Sequence, residues 1–492
     1  MASDLKSIFK HSSVYGFAGL LQKGIGFFMI PVYTGFLSPS DYGILELMDL
    51  TINIISMLIG MRLGAGIIRF YHKYELESEK ELLFSTALIS AAALTFFIVF
   101  ILFFFSDFFA EMVLGNASYF KYFQVIFVAM GCQIISTVPE SILLAEQKSV
   151  MFSTVTILTL ISYLSFNILF LVVFRMGVMG ILLSMLITKT FNTSCLILII
   201  RKKIKPVFSL RILKVLVKFT LPLVPASVFM FAMHYSDRFF IQKFCDLNQL
   251  GLYSLGYKFG MMISVLISEP FFRIWNTKRF EIAKEADSSK TMGSFFTYYS
   301  FITLFAATGI SLFIREVIII MAPEAYYNAT HMVSMIAASY IFYGAANFFT
   351  LGMMITYNTK SLAFIQISTS VFNIILNYFL ISRWGLNGAV SSTFISFFFM
   401  ASLSFIKSQS LFSIKIEYKR ILMLWSVFII CAYISNVYIF SSLIILSLLI
   451  KSVIFISLPF ILYITGFFRK DEKEKIFEAL KLFKEKIIEN KG

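Results

Sequence analysis

The segment KFTLPLVPASVFMFAMHYSDRFFIQKF (218–244), the turn CDLNQL (245–250) and the run GLYSLGYKFGMMISVLISEPFFRIW (251–275) decide how this chain is read. Each long run is mostly apolar. At about 1.5 Å of rise per helical residue, each is long enough to cross the roughly 30 Å hydrocarbon core of a bilayer. Between them they carry His234, Asp237, Arg238, Lys258, Glu269 and Arg273. Charges at bilayer depth are costly, so they usually face a bundle interior or a wet cavity and mark function.

Working outward, similar apolar runs recur fourteen times between residues 13 and 468 of the 492-residue chain. The chain is 59% hydrophobic and 14% charged, with a mean hydropathy of +0.84. A soluble domain carries about a quarter charged residues. The expectation is an all-α polytopic membrane protein with fourteen spans. The polar, basic start MASDLKSIFKH and the long apolar run after it do not read as a cleavable signal. With the N-terminus placed in the cytoplasm, thirty of the forty-two Lys and Arg fall on that side, five outside and seven within spans. That asymmetry is the positive-inside signal and puts both termini in the cytoplasm. The net charge of +15 is explained by anionic lipid rather than nucleic acid. Cys132, Cys195, Cys245 and Cys431 lie far apart, so no metal site or disulfide framework is expected. No Walker motif is present, which argues against direct ATP coupling.

Sliding the sequence by 208 residues superposes Gly43 on Gly251, and again Arg175, Gly177 and Gly180 on Arg383, Gly385 and Gly388. One offset at two distant places argues for duplication. Two parallel six-helix repeats around a central cavity follow, as in transporters that work by alternating access. The expected organisation is a first bundle over 1–200, a cytoplasmic linker over 201–216, a second bundle over 217–406, two additional spans within 407–468, and an amphipathic cytoplasmic tail over 469–492. On that tail Ile476, Leu480, Phe483 and Ile487 share a face.

Lys258, Glu269 and Arg273 lie within about 60° of each other on an ideal helix, forming one charged stripe. Helix-gluing ion pairs are the alternative to a cavity lining. Glu46, Asp49 and Asn53 form a polar face on the second span, near enough to its outer end for interfacial solvation to compete as an explanation. Arg62 lies near the inner end, where it can snorkel to headgroups. Lys23 falls mid-span among glycines. His234 and Asp237 are spaced for a protonatable pair, and Pro222 and Pro225 for a hinge, or for tolerated first-turn prolines. Glu140, Lys189 and Lys451 are further isolated charges within spans. Basic groups suit a diphosphate and acidic groups a proton or sodium site. The ion-coupling candidates are Glu46, Asp49, His234, Asp237 and Glu269; no catalytic residue, metal site or organic cofactor is expected.

The motifs FLSPSDYGILEL (36–47) and FTLPLVPASVFMFAMHYSDRFFIQKFCDLNQLGLYSLGYKFG (219–260), with the glycine pairs after Arg175 and Arg383, resemble bacterial polysaccharide-biosynthesis flippases. These are the oligosaccharide-lipid exporters of the multidrug/oligosaccharidyl-lipid/polysaccharide exporter superfamily, and the likeness extends over essentially the whole chain. The resemblance implies an inner-membrane flippase, not an enzyme. Its substrate would be an undecaprenyl-diphosphate-linked oligosaccharide destined for O-antigen, capsule or another surface polysaccharide, with a polymerase and chain-length machinery as further partners. By depth, Lys23, Arg62, Lys258 and Arg273 are the residues implied to meet the diphosphate and sugars. A drug/cation antiporter of the same superfamily and a peptidoglycan-precursor flippase stay open as alternatives. A membrane-embedded polymerase is disfavoured by the short outside loops.

Overall fold

Inside a bilayer no water satisfies backbone N–H and C=O groups, and an α-helix satisfies them internally. The computed structural model describes residue 24, residues 26–437 and residues 443–474. No strand occurs among them. Lys23 and the tail face of Ile476, Leu480, Phe483 and Ile487 lie outside the described residues.

The principal helices of the first half are α1 (Ile30–Phe36), α2 (Pro39–Ile59), α3 (Leu63–Tyr71), α4 (Glu77–Phe104), α5 (Phe120–Ala145), α6 (Ser149–Asn167) and α7 (Gly177–Ile200). Those of the second half are α8 (Leu210–Thr220), α9 (Leu223–Phe244), α10 (Leu247–Ile263), α11 (Glu269–Ile282), α12 (Ser288–Met321), α13 (Thr330–Phe348) and α14 (Thr359–Leu411). Two more, α15 (Tyr418–Val437) and α16 (Ile444–Ile464), follow.

Eleven helical stretches are long and apolar enough to span, and the α8–α9 pair, bent by 41°, makes a twelfth. Pro222 stands at that bend as the N-cap of α9, and Pro225 falls in the first turn, where a missing N–H costs least. The 53 residues of α14 would run about 80 Å if straight, far beyond a bilayer. They fold back at Gly385, whose φ is 54°. Ser392 donates to Asn377, and Asn373 Nδ2 donates to Ser396 Oγ at 3.1 Å, both pairs straddling the turn. The hairpin adds a thirteenth crossing among the described residues. The apolar helix Gly26–Phe36 is the described end of the first of the fourteen runs, which begins at residue 13. The architecture is all-α and consistent with fourteen spans in two repeats plus two.

The duplication is written into the backbone. Gly177 and Gly385, 208 residues apart, both sit in the left-handed region at φ +57° and +54°. Gly43 on α2 and Gly251 on α10 are also 208 apart. A Cβ on Gly43 would strike the Leu247 carbonyl, and one on Gly251 would strike the Pro39 carbonyl. Pro39 and Leu247 are themselves repeat-related, so the contact is reciprocal, as at a twofold interface. It brings the two halves into backbone contact at this end.

The last two helices are tied on by polar contacts. Lys451 Nζ lies 2.8 Å from both carboxylate oxygens of Glu316 on α12, and Ser447 Oγ donates to the same carboxylate at 2.7 Å. Both charged side chains are 1% exposed. At the start of α15, Arg420 Nη2 meets Glu472 at 2.8 Å while Tyr298 Oη donates to Glu472 at 2.6 Å.

Removing one member of the Glu316–Lys451 pair strands a buried charge, at a cost of about 3–5 kcal/mol. Lys451→Met alone is therefore expected to lower the unfolding temperature in detergent, and Lys451→Met with Glu316→Leu to recover most of the loss. Equal melting of the single and double variants would contradict the pairing. At the glycine crossing, Gly251→Leu is expected to separate α2 from α10. Spin labels at Ser40→Cys and Asn248→Cys should then report longer distances; an unchanged distribution counts against the crossing as the closing contact.

Candidate functional site

A proline at Pro39 and a capping box open α2: Asp41 N donates to Ser38 Oγ at 3.2 Å, and Ser38 N donates to the Asp41 carboxylate at 3.1 Å. The helix so started sets Tyr42, Glu46, Asp49 and Asn53 along one face at spacings of three and four. That face lines a central chamber of about 630 Å³, together with Tyr235 and Arg238 of α9 and Tyr257 and Lys258 of α10. Asp49 accepts from Asn53 Nδ2 at 3.1 Å.

Arg238 is the most deeply held charged group there, at 2% exposure. Its Nη1 donates to both oxygens of Asp237, at 2.7 and 3.0 Å, and to the His234 carbonyl at 2.9 Å. Its guanidinium lies 3.8 Å from the centroid of the Tyr257 ring. Its Nε faces Glu46 across the interface between the halves at 3.6 Å. Lys258 Nζ donates to Tyr42 Oη at 2.8 Å and stands 3.9 Å from Glu46. The central chamber is therefore balanced, with two acids and two bases in its wall.

Two further chambers adjoin it. One, of about 700 Å³, lies in the first half and shares Tyr33, Asp49, Tyr163 and Met185 with the central one. Its wall is rich in hydroxyl and amide groups. Glu140 accepts from Ser136 at 3.1 Å and from Asn192 at 3.3 Å, and Thr159 donates to Asn192 at 3.1 Å. Lys189 lines the same space. The other, of about 620 Å³, lies in the second half, shares Tyr235 and Met261 with the central chamber, and contains His234, Glu269, Arg273 and Arg279.

The expected charged stripe is thus divided. Lys258 opens onto the central chamber, Glu269 and Arg273 onto the second-half one. Between them Ser264–Ser268 forms a π segment. Pro270 has no N–H for the Leu266 carbonyl and its ring crowds that carbonyl, so the turn before it widens. A widened turn rotates everything beyond it away from the ideal-helix phase.

Other candidates are also placed apart. His234 and Asp237 do not pair: the Asp237 carboxylate is taken by Arg238 and Tyr253, while the His234 ring packs on Tyr343 and Phe397 at 4.9 and 5.5 Å. Arg62 is outside the three chambers. It caps α3 with φ of 53°, and its side chain donates to Ser227 of α9, joining the halves at the end opposite the glycine crossing. Among the described residues no group of three His, Cys, Asp or Glu comes together to hold a metal. Arg238 was noted from sequence only as one of the charges at bilayer depth, with no role given to it, and the tyrosines around it were not singled out, although Tyr253 and Tyr257 at helical spacing beside a buried Asp–Arg pair offered a signal.

The fold has solved counterparts. A lipid II flippase MurJ in an inward closed conformation superposes with a TM-score of 0.74 at 14% identity, covering 92% of this chain and 99% of that one. An inward-facing multidrug resistance transporter of the MATE family, of the MOP superfamily, gives 0.64 at 13% identity, covering 83% and 96%. A MATE protein in a straight conformation gives 0.56 at 14%, covering 86% and 97%. No curated protein matches the chain by sequence.

Substituting Asp237→Ala leaves the buried Arg238 guanidinium with Glu46 at 3.6 Å as its remaining carboxylate, and a stability loss of about 3–5 kcal/mol is expected. Thermal unfolding in detergent measures it, and wild-type stability would show that Asp237 does not hold Arg238 in place.

A sequence model described as polysaccharide biosynthesis protein matches residues 8–275, more than half of the chain. With that match, on a multi-pass helical scaffold holding polar chambers between two repeated halves, this chain belongs to the polysaccharide biosynthesis protein family.

Proposed function

We propose that the protein flips an undecaprenyl-diphosphate-linked oligosaccharide from the cytoplasmic to the outer leaflet of a bacterial inner membrane, by alternating access, for O-antigen, capsule or related polymer assembly. The observation that carries this reading is the chain of three adjoining chambers within the spanning helices, each of about 620–700 Å³. One such volume suits a drug-sized ligand. Three in contact, lined by hydroxyls, amides and charges of both signs, suit a larger polar headgroup bearing sugars and phosphates. A compact drug cation needs less space and an acidic wall, so the antiporter alternative fits less well.

The distribution of Lys and Arg orients the molecule, with the Arg62–Ser227 end toward the cytoplasm and the Gly43–Gly251 crossing outward. Rocking the halves about the central chamber exposes it to one side at a time. The bend at Pro222 supplies a break between α8 and α9 that can absorb the movement. Lys258, with its ammonium in the central wall, meets the headgroup as it passes. Asp49 borders both the central and first-half chambers, so it is the acid best placed to link a proton or sodium gradient to substrate movement. Glu46, His234, Asp237 and Glu269 are the remaining coupling candidates. The flipped product passes to a polymerase and its chain-length machinery.

In a deletion strain complemented with Lys258→Ala, surface polymer is expected to fall by about tenfold or more, the loss of one charge-assisted contact. Undiminished polymer with Lys258→Ala and Arg273→Ala combined would remove both from the mechanism. In proteoliposomes, Asp49→Asn is expected to abolish the response of flipping to an imposed ion gradient. Flipping by the wild type that ignores both proton and sodium gradients would sink the coupling idea.

A further inference from the structure

The first-half chamber differs from its neighbours in charge and in how its polar groups are held. Its wall sets two carboxylates, Asp49 and Glu140, against one ammonium, Lys189, whereas the second-half wall sets Arg273 and Arg279 against Glu269. Three helices contribute to it at helical spacing: Gln133, Ser136 and Glu140 from α5, Thr159 from α6, Lys189 and Asn192 from α7.

A relay of hydrogen bonds fixes Glu140. Thr159 Oγ1 donates to Asn192 Oδ1 at 3.1 Å, and Asn192 Nδ2 donates to Glu140 Oε1 at 3.3 Å. Ser136 Oγ donates to the same Oε1 at 3.1 Å. The relay ties the three helices together and uses one carboxylate oxygen. Among the described residues the other, Oε2, accepts no hydrogen bond, and it is not sealed in the protein interior. The Gln133 side-chain amide and the Lys189 ammonium also make no hydrogen bond or ion pair among the described residues. Lys189 and Glu140 share one wall without closing to ion-pair distance. Charged and polar groups within a spanning bundle are costly to leave unsatisfied, so this set calls for a ligand that brings both donors and acceptors.

The donor and acceptor types identify that ligand. A carboxylate only accepts, an ammonium only donates, and an amide does both. A sugar hydroxyl also does both, so two adjacent hydroxyls on one ring answer a carboxylate and an ammonium together. A uronate or a phosphate brings a negative charge against Asp49 and Glu140, and like charges set opposite each other discriminate strongly. A compact cation answers the carboxylates but is opposed by Lys189.

Resting on the flippase reading, we infer that Gln133, Glu140 and Lys189 form a glycan subsite. It takes an uncharged pyranose of the lipid-linked headgroup through vicinal hydroxyls and disfavours a uronate, with Ser136, Asn192 and Thr159 as positioning residues for Glu140.

The test is binding of three probes to the full chain in nanodiscs: farnesyl diphosphate, its glucosyl conjugate and its glucuronosyl conjugate. The wild type is expected to bind the glucosyl conjugate about tenfold more tightly than bare farnesyl diphosphate, the yield of one charge-assisted hydrogen bond, and to gain nothing from the glucuronosyl group. Glu140→Gln should lower the glucosyl gain, narrow the gap between the two conjugates and leave farnesyl diphosphate unchanged. Lys189→Met should also lower the glucosyl gain, and it breaks no hydrogen bond among the described residues, so it tests the subsite if Glu140→Gln fails to fold. Thr159→Val should cut the glucosyl gain and Thr159→Ser restore it, with equal farnesyl diphosphate affinity in both. Three results overturn the subsite: no gain from the glucosyl group, equal affinity for the two conjugates, or a glucosyl gain that survives both Glu140→Gln and Lys189→Met. Each leaves the flippase reading standing while farnesyl diphosphate binds. A wild type that binds none of the three probes fails both.

Discussion

A charge that has left water must be surrounded on every side, and Arg238 is surrounded from three helices. Its own helix supplies Asp237 and the His234 carbonyl, α10 supplies the Tyr257 face, and α2 of the other half supplies Glu46. Coulombic interaction is stronger away from water, so each partner's position is constrained by the others. The consequence is a rigid charged wall at the place where the halves meet. Lys258 extends it through Tyr42 and Glu46. Glu46 is thereby shared by two cations of the second half while belonging to the first. An interaction of that kind is sensitive to any movement of one half against the other.

The scaffold is duplicated and the chemistry is not. Repeat-related glycines both take a positive φ at Gly177 and Gly385, and meet each other's helix backbone at Gly43 and Gly251. The residues that carry charge have no such symmetry. The first half presents hydroxyls, amides and Glu140 to its chamber, and the second presents guanidiniums. Backbone packing is governed by small residues and turns, which both copies needed to keep. Cavity walls are free to diverge because side chains facing open space pack against nothing. A polar headgroup with chemically different parts is served by such divergence.

The two final helices make the same point about buried charge. Lys451 gives no surface to any of the three chambers; it pairs with Glu316, which also accepts from Ser447, fastening α16 to α12. Two isolated charges in apolar sequence are equally suggestive of function until their partner is seen. Lys189 and Glu140 went the other way, from unremarkable single charges to members of one chamber.

Membrane class, the repeat and the polar face of α2 were legible in the chain itself, and the count of fourteen spans is consistent with the described helices. Each depends on local quantities: run length against bilayer thickness, a fixed offset, or residues three and four apart on a regular helix. Lys258, Glu46, Asp49, Glu269 and Arg273 were picked out on that basis, and all line chambers. What the sequence could not supply was convergence. The π segment before Pro270 broke the regular helix on which the single stripe depended. Arg62 and His234 found their partners across helices far apart in the chain, and Asp237 was taken by its neighbour Arg238 and by Tyr253 of the next helix. Intramembrane charge tells that a partner must exist, because an unpartnered one is too costly. Which partner it is depends on how the helices pack, and only the tertiary structure decided that.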